Sequence, residues 1–345
     1  MSTARIPLKP GARFLPSQPP ATRFLIAVLG LFIACLLAFA GMLGILARLQ
    51  MLPPPPFTGT ACMDEKFKFL AEHDVRRVDL MAVGSSVTWR NLDVAAFRRT
   101  GLAYRPLNAA PCYLHMSETA YLTDFLLRHM YAVRTVVTVV APRDFEKCTA
   151  PREAFFSASL AAAYIFQSMP ALPVYFSHFR PQKFIPDIGR IRGMRHAAPG
   201  VPPLAMDAYG AGPLRAPSAW LPEPVLSDMC FTALRELEKV VAARDARLVV
   251  ATIPLQPEWR TRYDPDGRLV AAFEARIDAT LQDPSTVFLP GSKGPPEALQ
   301  HADAVHYVWD SARDYSRHLA RRLSAALDDP AVLQADDANG APVKK

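Results

Sequence analysis

Two short stretches of this 345-residue chain bring together side chains capable of nucleophilic chemistry. The first is Val83-Gly84-Ser85-Ser86, where a glycine and two serines follow an apolar run. A serine on a sharp strand-to-loop turn offers its hydroxyl to solvent with backbone N–H groups beside it, which is what a serine nucleophile needs. The second is Asp303-Ala-Val-His306. A carboxylate three residues before a histidine on one loop holds the imidazole in one tautomer, and the other ring nitrogen can then take the serine's proton. Alone, each is a weak signal. Gly-Ser-Ser is often only a turn, and Asp-x-x-His recurs by chance. Their weight depends on the elements that carry them.

Strands are predicted over 78–84, 104–107, 134–141, 247–253 and 286–289. Residues 134–141 (RTVVTVVA) form the clearest of them, rich in β-branched side chains. Helices are predicted over 63–73, from Asp93, over 117–131, 225–240, 266–281 and 310–327. Alternating strands and helices imply an α/β fold with a mostly parallel sheet covered by helices on both faces. Sites in such sheets lie at the carboxyl ends of the strands. Ser86 follows the first predicted strand and His306 follows the last, so both fall at that edge. Residues 151–224, dense in proline and aromatics, break the rhythm and read as an insertion, either a lid over the site or a surface ornament.

The formal charge of +7 invites a nucleic-acid partner until its position is examined. Residues 24–47 are uncharged and long enough to cross a bilayer as a helix. Arg5, Lys9, Arg13 and Arg23 precede them, and the first acidic residue is Asp64. Such flanks predict residues 1–23 in the cytoplasm and everything after about residue 50 outside it, in an extracytoplasmic or periplasmic space. Residues 48–61, with four consecutive prolines, read as a stiff spacer. The 34 basic residues beyond position 61 nearly balance 32 acids, so the external part has little affinity for nucleic acid. Residues 62–327 form the folded domain, and 328–345 read as a disordered tail.

Cys35 lies in the apolar span, while Cys62, Cys112, Cys148 and Cys230 lie outside it. Four cysteines in an oxidising compartment permit three pairings. Cys62 and Cys148 flank the outer ends of predicted elements and are the first expected pair.

These two serine and histidine blocks resemble those of the SGNH (GDSL-type) hydrolase superfamily, above all its membrane-anchored branch that modifies envelope polymers. The resemblance spans about residues 62–327 without the insertion. It implies a three-layer α/β/α, flavodoxin-like fold. Gly84-Ser85-Ser86 is similar to the nucleophile block, with Ser86 as nucleophile and Ser85 where aspartate is usual. Asp303 and His306 are similar to the last block, as orienting acid and general base. The oxyanion blocks depart from the family pattern. Asn108, Ala109 and Ala110 stand near the usual glycine, and Arg143 and Asp144 near the usual asparagine, so the resemblance implies an oxyanion held by the backbone N–H of Ser86 and one near Ala109 or Ala110, with Asn108 or Arg143 assisting. The implied activity is serine acyl transfer to an envelope polysaccharide, with an acylated glycan or other acyl donor and an integral-membrane acyl-exporting partner. An SGNH-type esterase and a non-catalytic scaffold subunit are the alternatives.

No cofactor or metal is expected. His115, His129, His178, His196 and His318 lack metal-ligand spacing, and residues 208–215 (AYGAGPLR) lack the third glycine and preceding strand of a phosphate loop.

Overall fold

A computed structural model describes residues 20–196, 203–294 and 298–328. The expected tail over 328–345 and most of residues 1–23 therefore lie outside the described residues. The chain divides into two units, 1–52 and 53–345.

Among the described residues of the first unit is one helix, α1 (Pro20–Arg48), whose segment Ala21–Arg48 is long and apolar enough to cross a membrane. Helix α2 (Ala61–Glu72) leads into β1 (Leu80–Val83), followed by α3 (Ser86–Asn91), α4 (Ala95–Arg99), β2 (Pro106–Asn108), α5 (Met116–Leu127) and β3 (Thr135–Val140). After a 3-10 turn at Pro142–Phe145 come three helices, α6 (Ala158–Phe166), α7 (Leu172–Ser177) and α8 (Pro181–Arg195). Then follow α9 (Asp228–Ala242), β4 (Arg247–Thr252), α10 (Pro257–Tyr263), α11 (Arg268–Thr280), β5 (Val287–Leu289) and α12 (Trp309–Leu327).

The five strands form one all-parallel sheet in the order β2-β1-β3-β4-β5. Each expected strand is present, four of them trimmed by about one to three residues and β2 shifted from 104–107 to 106–108. The strands are almost wholly buried, so they read as continuous apolar runs rather than alternating ones. Their two faces feed two separate cores. Met81, Val83, Val136 and Val250 pack with Phe67 of α2, Leu126 of α5 and Leu237 of α9. Leu80, Ala82, Val139 and Val249 pack with Phe97 of α4 and Leu319 of α12. The order of connections reverses between β1 and β3, which opens a crevice at their carboxyl ends.

Two expectations are corrected here. The proline run is not a free spacer. Pro53 to Pro55 and Phe57 are buried, and the Phe57 ring meets Phe67 and Tyr164 at centroid distances of 5.6 and 5.1 Å. Pro53 O also accepts from the Tyr175 hydroxyl. The disulfides are Cys62–Cys112 and Cys148–Cys230, with Cα separations of 6.0 and 5.1 Å, and not Cys62–Cys148. Cys62 opens α2 beside the loop after β2, whereas Cys148 follows the turn after β3 and faces α9. Within the insertion, residues 158–195 carry α6, α7 and α8. Helix α6 packs against α2, and Ala161, Ile165 and Phe166 join the core there.

Candidate active site

The turn after β1 is built by four consecutive constraints. Gly84 has φ +140°, a region that L side chains rarely adopt, and a Cβ there would lie 2.3 Å from Thr88 Oγ1. The glycine makes room for Thr88, whose hydroxyl donates to Val139 O at 2.8 Å and accepts from Val139 N at 3.0 Å. That pair fixes α3 onto β3. Ser85 caps α3, its Oγ accepting from Val87 N at 3.1 Å. Ser86 then occupies the first turn of α3 and is the half-exposed residue of an otherwise buried stretch, 80–99 aside from Ala95 and the Arg98–Arg99 end.

His306 Nε2 stands 3.0 Å from Ser86 Oγ. Its Nδ1 is 2.9 Å from both carboxylate oxygens of Asp303. Asp303 is held in turn by its own loop, where Oδ1 accepts from Val305 N and His306 N at 3.1 and 3.0 Å. Asp303 and His306 are both buried. The structure thus brings the three expected residues into one hydrogen-bonded line. In that line the carboxylate fixes Nδ1 as the protonated nitrogen and leaves Nε2 to accept from the serine.

Asn91 of α3, which sequence reasoning did not single out, clamps this loop. Its Nδ2 donates to Val305 O and its Oδ1 accepts from Tyr307 N, each at 2.8 Å.

The other expected site residues divide. Ala109 N donates to Ala82 O at 2.8 Å, continuing the β1–β2 ladder by one residue. Ala110 N donates to Asn108 Oδ1 at 3.2 Å. Both alanines are fully buried, so neither amide is available to an oxyanion. The Asn108 carboxamide donates to Thr88 O and Leu92 O at 3.2 and 3.0 Å, which satisfies the last carbonyls of α3. These three residues support the turn from beneath and do not line the site. Asp144 also points inward, accepting from Ser85 Oγ and, at 2.8 Å, from Ala141 N. Burial pushes its carboxyl up to about 7, against the two hydrogen bonds and nearby Arg143 that favour the charge. Ser85, where aspartate was the expected family residue, serves as this cap and as the donor to Asp144.

Arg143 is at the rim. Its guanidinium pairs with Glu146 and lies 5.7 Å from the centre of the Trp220 ring. Trp220 stacks on His306 with centroids 6.3 Å apart and an interplanar angle of 21°, and is 39% exposed. Trp220 belongs to the extended end of the insertion, which runs along the site loop. Ser218 N donates to Ala302 O at 2.5 Å, and Ala304 N donates to Trp220 O at 3.2 Å. The insertion therefore flanks the site through this strand-like end, whereas α6 sits in the core. No sequence signal marked Trp220, which lies in a stretch without periodicity.

Buried cations hold that extended end in place. Lys66 donates to Asn108 O and Gly210 O at 2.9 and 2.6 Å. Trp89 Nε1 donates to Gly210 O at 3.1 Å, and Arg90 donates to Gly212 O and Pro203 O at 3.0 and 2.6 Å. Burial holds the Lys66 amine well below its ordinary range and lowers Arg90 to about 9. Trp89 and Arg90 are thus packing residues beneath the site. Compared with models of known families and with curated proteins, the chain matches neither.

Proposed function

We propose that this chain is a membrane-anchored serine acyltransferase of the SGNH kind, acting outside the cytoplasm on O-acyl groups of an envelope polysaccharide or glycan. The observation that supports this reading best is the line Ser86 Oγ, His306 Nε2, His306 Nδ1, Asp303 at the carboxyl end of a parallel sheet. In the reaction, Ser86 Oγ attacks the ester carbonyl carbon as its proton passes to His306 Nε2. The tetrahedral intermediate collapses, the leaving alcohol takes that proton, and an acyl-serine remains. An acceptor hydroxyl then attacks the acyl carbon and gives its proton to Nε2; the acyl C–Oγ bond breaks, Nε2 passes the proton to Ser86 Oγ, and the serine is regenerated. Asp303 orients the imidazole and stabilises its cationic form. This reading assigns the oxyanion to the Ser86 N–H in the first turn of α3, with Arg143 at the rim as the cationic group nearby. The Lys/Arg-rich residues before α1 support an N-terminus in the cytoplasm. Water in place of the acceptor gives the esterase.

The engaged amides of Ala109 and Ala110 favour a second reading, a non-catalytic scaffold subunit of a polysaccharide-modifying complex. Labelling of the purified chain with a fluorophosphonate decides between them. The enzyme reading expects stoichiometric labelling that Ser86→Ala abolishes. It also expects Asp303→Asn to slow ester turnover by about 10⁴-fold with the fold intact. Absent labelling, or labelling that persists in Ser86→Ala, overturns it. Product analysis with an acyl ester and a sugar acceptor then separates transfer from hydrolysis.

A further inference from the structure

Tyr113 has a backbone conformation that its place in the fold does not explain. Among the described residues, four other than glycine have φ in the left-handed region: Gln50, Tyr113, Ser168 and Asp245. Gln50, Ser168 and Asp245 come just after the ends of α1, α6 and α9, where that conformation is an ordinary helix cap. Tyr113, at φ +59°, follows strand β2 and no helix. For a bulky residue this is an outlier that its surroundings must hold in place. Its two neighbours do so. Cys112 is buried and bonded to Cys62, and Leu114 is buried in the core. Between them the Tyr113 side chain is turned outward and is 70% exposed. The chain thus accepts backbone strain and presents an aromatic ring to solvent.

That ring lies on the edge that carries Ser86. Strand β1, which leads to Ser86, lies between β2 and β3, and Ala82 is paired with Asn108, so the loops after these strands leave one edge side by side. The Arg90 guanidinium, on the helix that begins with Ser86, is within electrostatic range of both the Tyr113 hydroxyl and Asp303. Tyr113 therefore approaches the site from the β2 side. Trp220 stands on the β3 side, where it meets Arg143. It too is fastened. Beyond its bonds to the site loop, Leu221 O accepts from Tyr263 Oη at 3.4 Å and Pro222 O accepts from Trp259 Nε1 at 2.7 Å. Two exposed rings on separately anchored segments flank the nucleophile. Arg143 is neutralised by Glu146, so what Tyr113 and Trp220 offer is apolar ring surface with a polar tip.

We propose that Tyr113 and Trp220 are sugar-binding walls of the candidate active site, stacking on the apolar C–H faces of pyranose rings to either side of the unit that reacts at Ser86. This deepens the proposed function and rests on its glycan substrate. Stacking asks for no charge on the sugar, so neutral glycans fit. The two rings are ordered before the substrate arrives, so little freedom is lost on binding, and the bound sugar is held in register with Ser86 Oγ.

The test titrates the full-length Ser86→Ala chain in detergent micelles with cellohexaose, xylohexaose and chitohexaose, reading binding by saturation-transfer NMR. Saturable binding of at least one is expected, with little response to added salt. Tyr113→Gly adopts the left-handed φ without strain, so its unfolding midpoint should not fall. It should nevertheless weaken binding by about tenfold, as should Trp220→Ala. Binding of none of the three, while a fluorophosphonate labels Ser86 of the wild type, overturns this inference and leaves the enzyme standing. Binding that Tyr113→Gly weakens, without fluorophosphonate labelling of the wild type, supports the sugar walls and overturns the enzyme. Neither binding nor labelling overturns both. Binding unchanged in Tyr113→Gly, binding removed by salt, or a lowered unfolding midpoint in Tyr113→Gly overturns the stacking role.

Discussion

Asn91 grips the backbone on both sides of His306. One carboxamide, on the helix that begins with Ser86, donates to Val305 O and accepts from Tyr307 N. Helix α3 therefore carries the serine at its start and fixes the histidine loop at its end, so the Ser86–His306 distance is set within one rigid element. Asn91→Ala leaves the Tyr307 N–H and Val305 carbonyl buried without that partner, at a cost of about 1–3 kcal/mol. Ester turnover is expected to fall by about 10²-fold, since a displacement of 1 Å is enough for that. Denaturant unfolding and steady-state kinetics measure the two effects separately. Turnover equal to wild type would show that the loop is held by other means.

Gly84→Ala introduces a methyl group 2.3 Å from Thr88 Oγ1 at a φ of +140°. Thr88 cannot retreat without breaking its two bonds to Val139. The variant is expected to lose fluorophosphonate labelling and stability together, the latter by about 1–3 kcal/mol. Gly101→Ala is a suitable comparison, because nothing lies within 4 Å of the added carbon although φ is +80°.

Two buried carboxyls, Asp64 and Asp144, are pushed up to about 7 by desolvation. The folded state then binds these protons more tightly than the unfolded chain, whose aspartates titrate near 4. Their contribution is fully present below about pH 4 and is lost as pH rises through about 7. The midpoint of thermal unfolding is expected to decline between pH 5 and pH 8 more steeply for wild type than for Asp144→Asn. Parallel profiles would contradict this.

Both disulfides pin site-flanking loops to outer helices. Cys62–Cys112 joins α2 to the loop after β2, and Cys148–Cys230 joins the segment after β3 to α9. They close loops of 50 and 82 residues, so loss of either is expected to cost about 2–4 kcal/mol. Non-reducing peptide mapping should return these two cross-linked pairs, and a Cys62–Cys148 peptide would contradict the pairing. Cys112→Ser should also lower ester turnover, because Asn108, which supports α3, lies four residues away.

The strands and the Ser86, Asp303 and His306 blocks were legible because each is local. A buried strand is an apolar run bounded by turns, and a serine or histidine block is read within four residues. Asn91 was not legible, since its partners lie over 200 residues away and a lone asparagine carries no pattern. The amides of Ala109 and Ala110 were misread for a related reason. Whether an N–H is free depends on where the ladder ends, and the β1–β2 pairing runs one residue past the point at which the apolar pattern stops. The disulfides failed on geometry, because proximity of helix ends is a property of packing. The proline run misled because composition reports stiffness but not burial against the domain.

Ser86 and His306 are 220 positions apart, after the first and the last strand in chain order. A growing chain thus emerges with its serine long before the imidazole that would activate it. Until β5 and α12 have docked, the hydroxyl is an ordinary alcohol with no reactivity toward passing esters. On the proposed reading, acyl transfer is consequently a property of the finished domain alone, and truncation anywhere before position 306 removes the imidazole on which it depends.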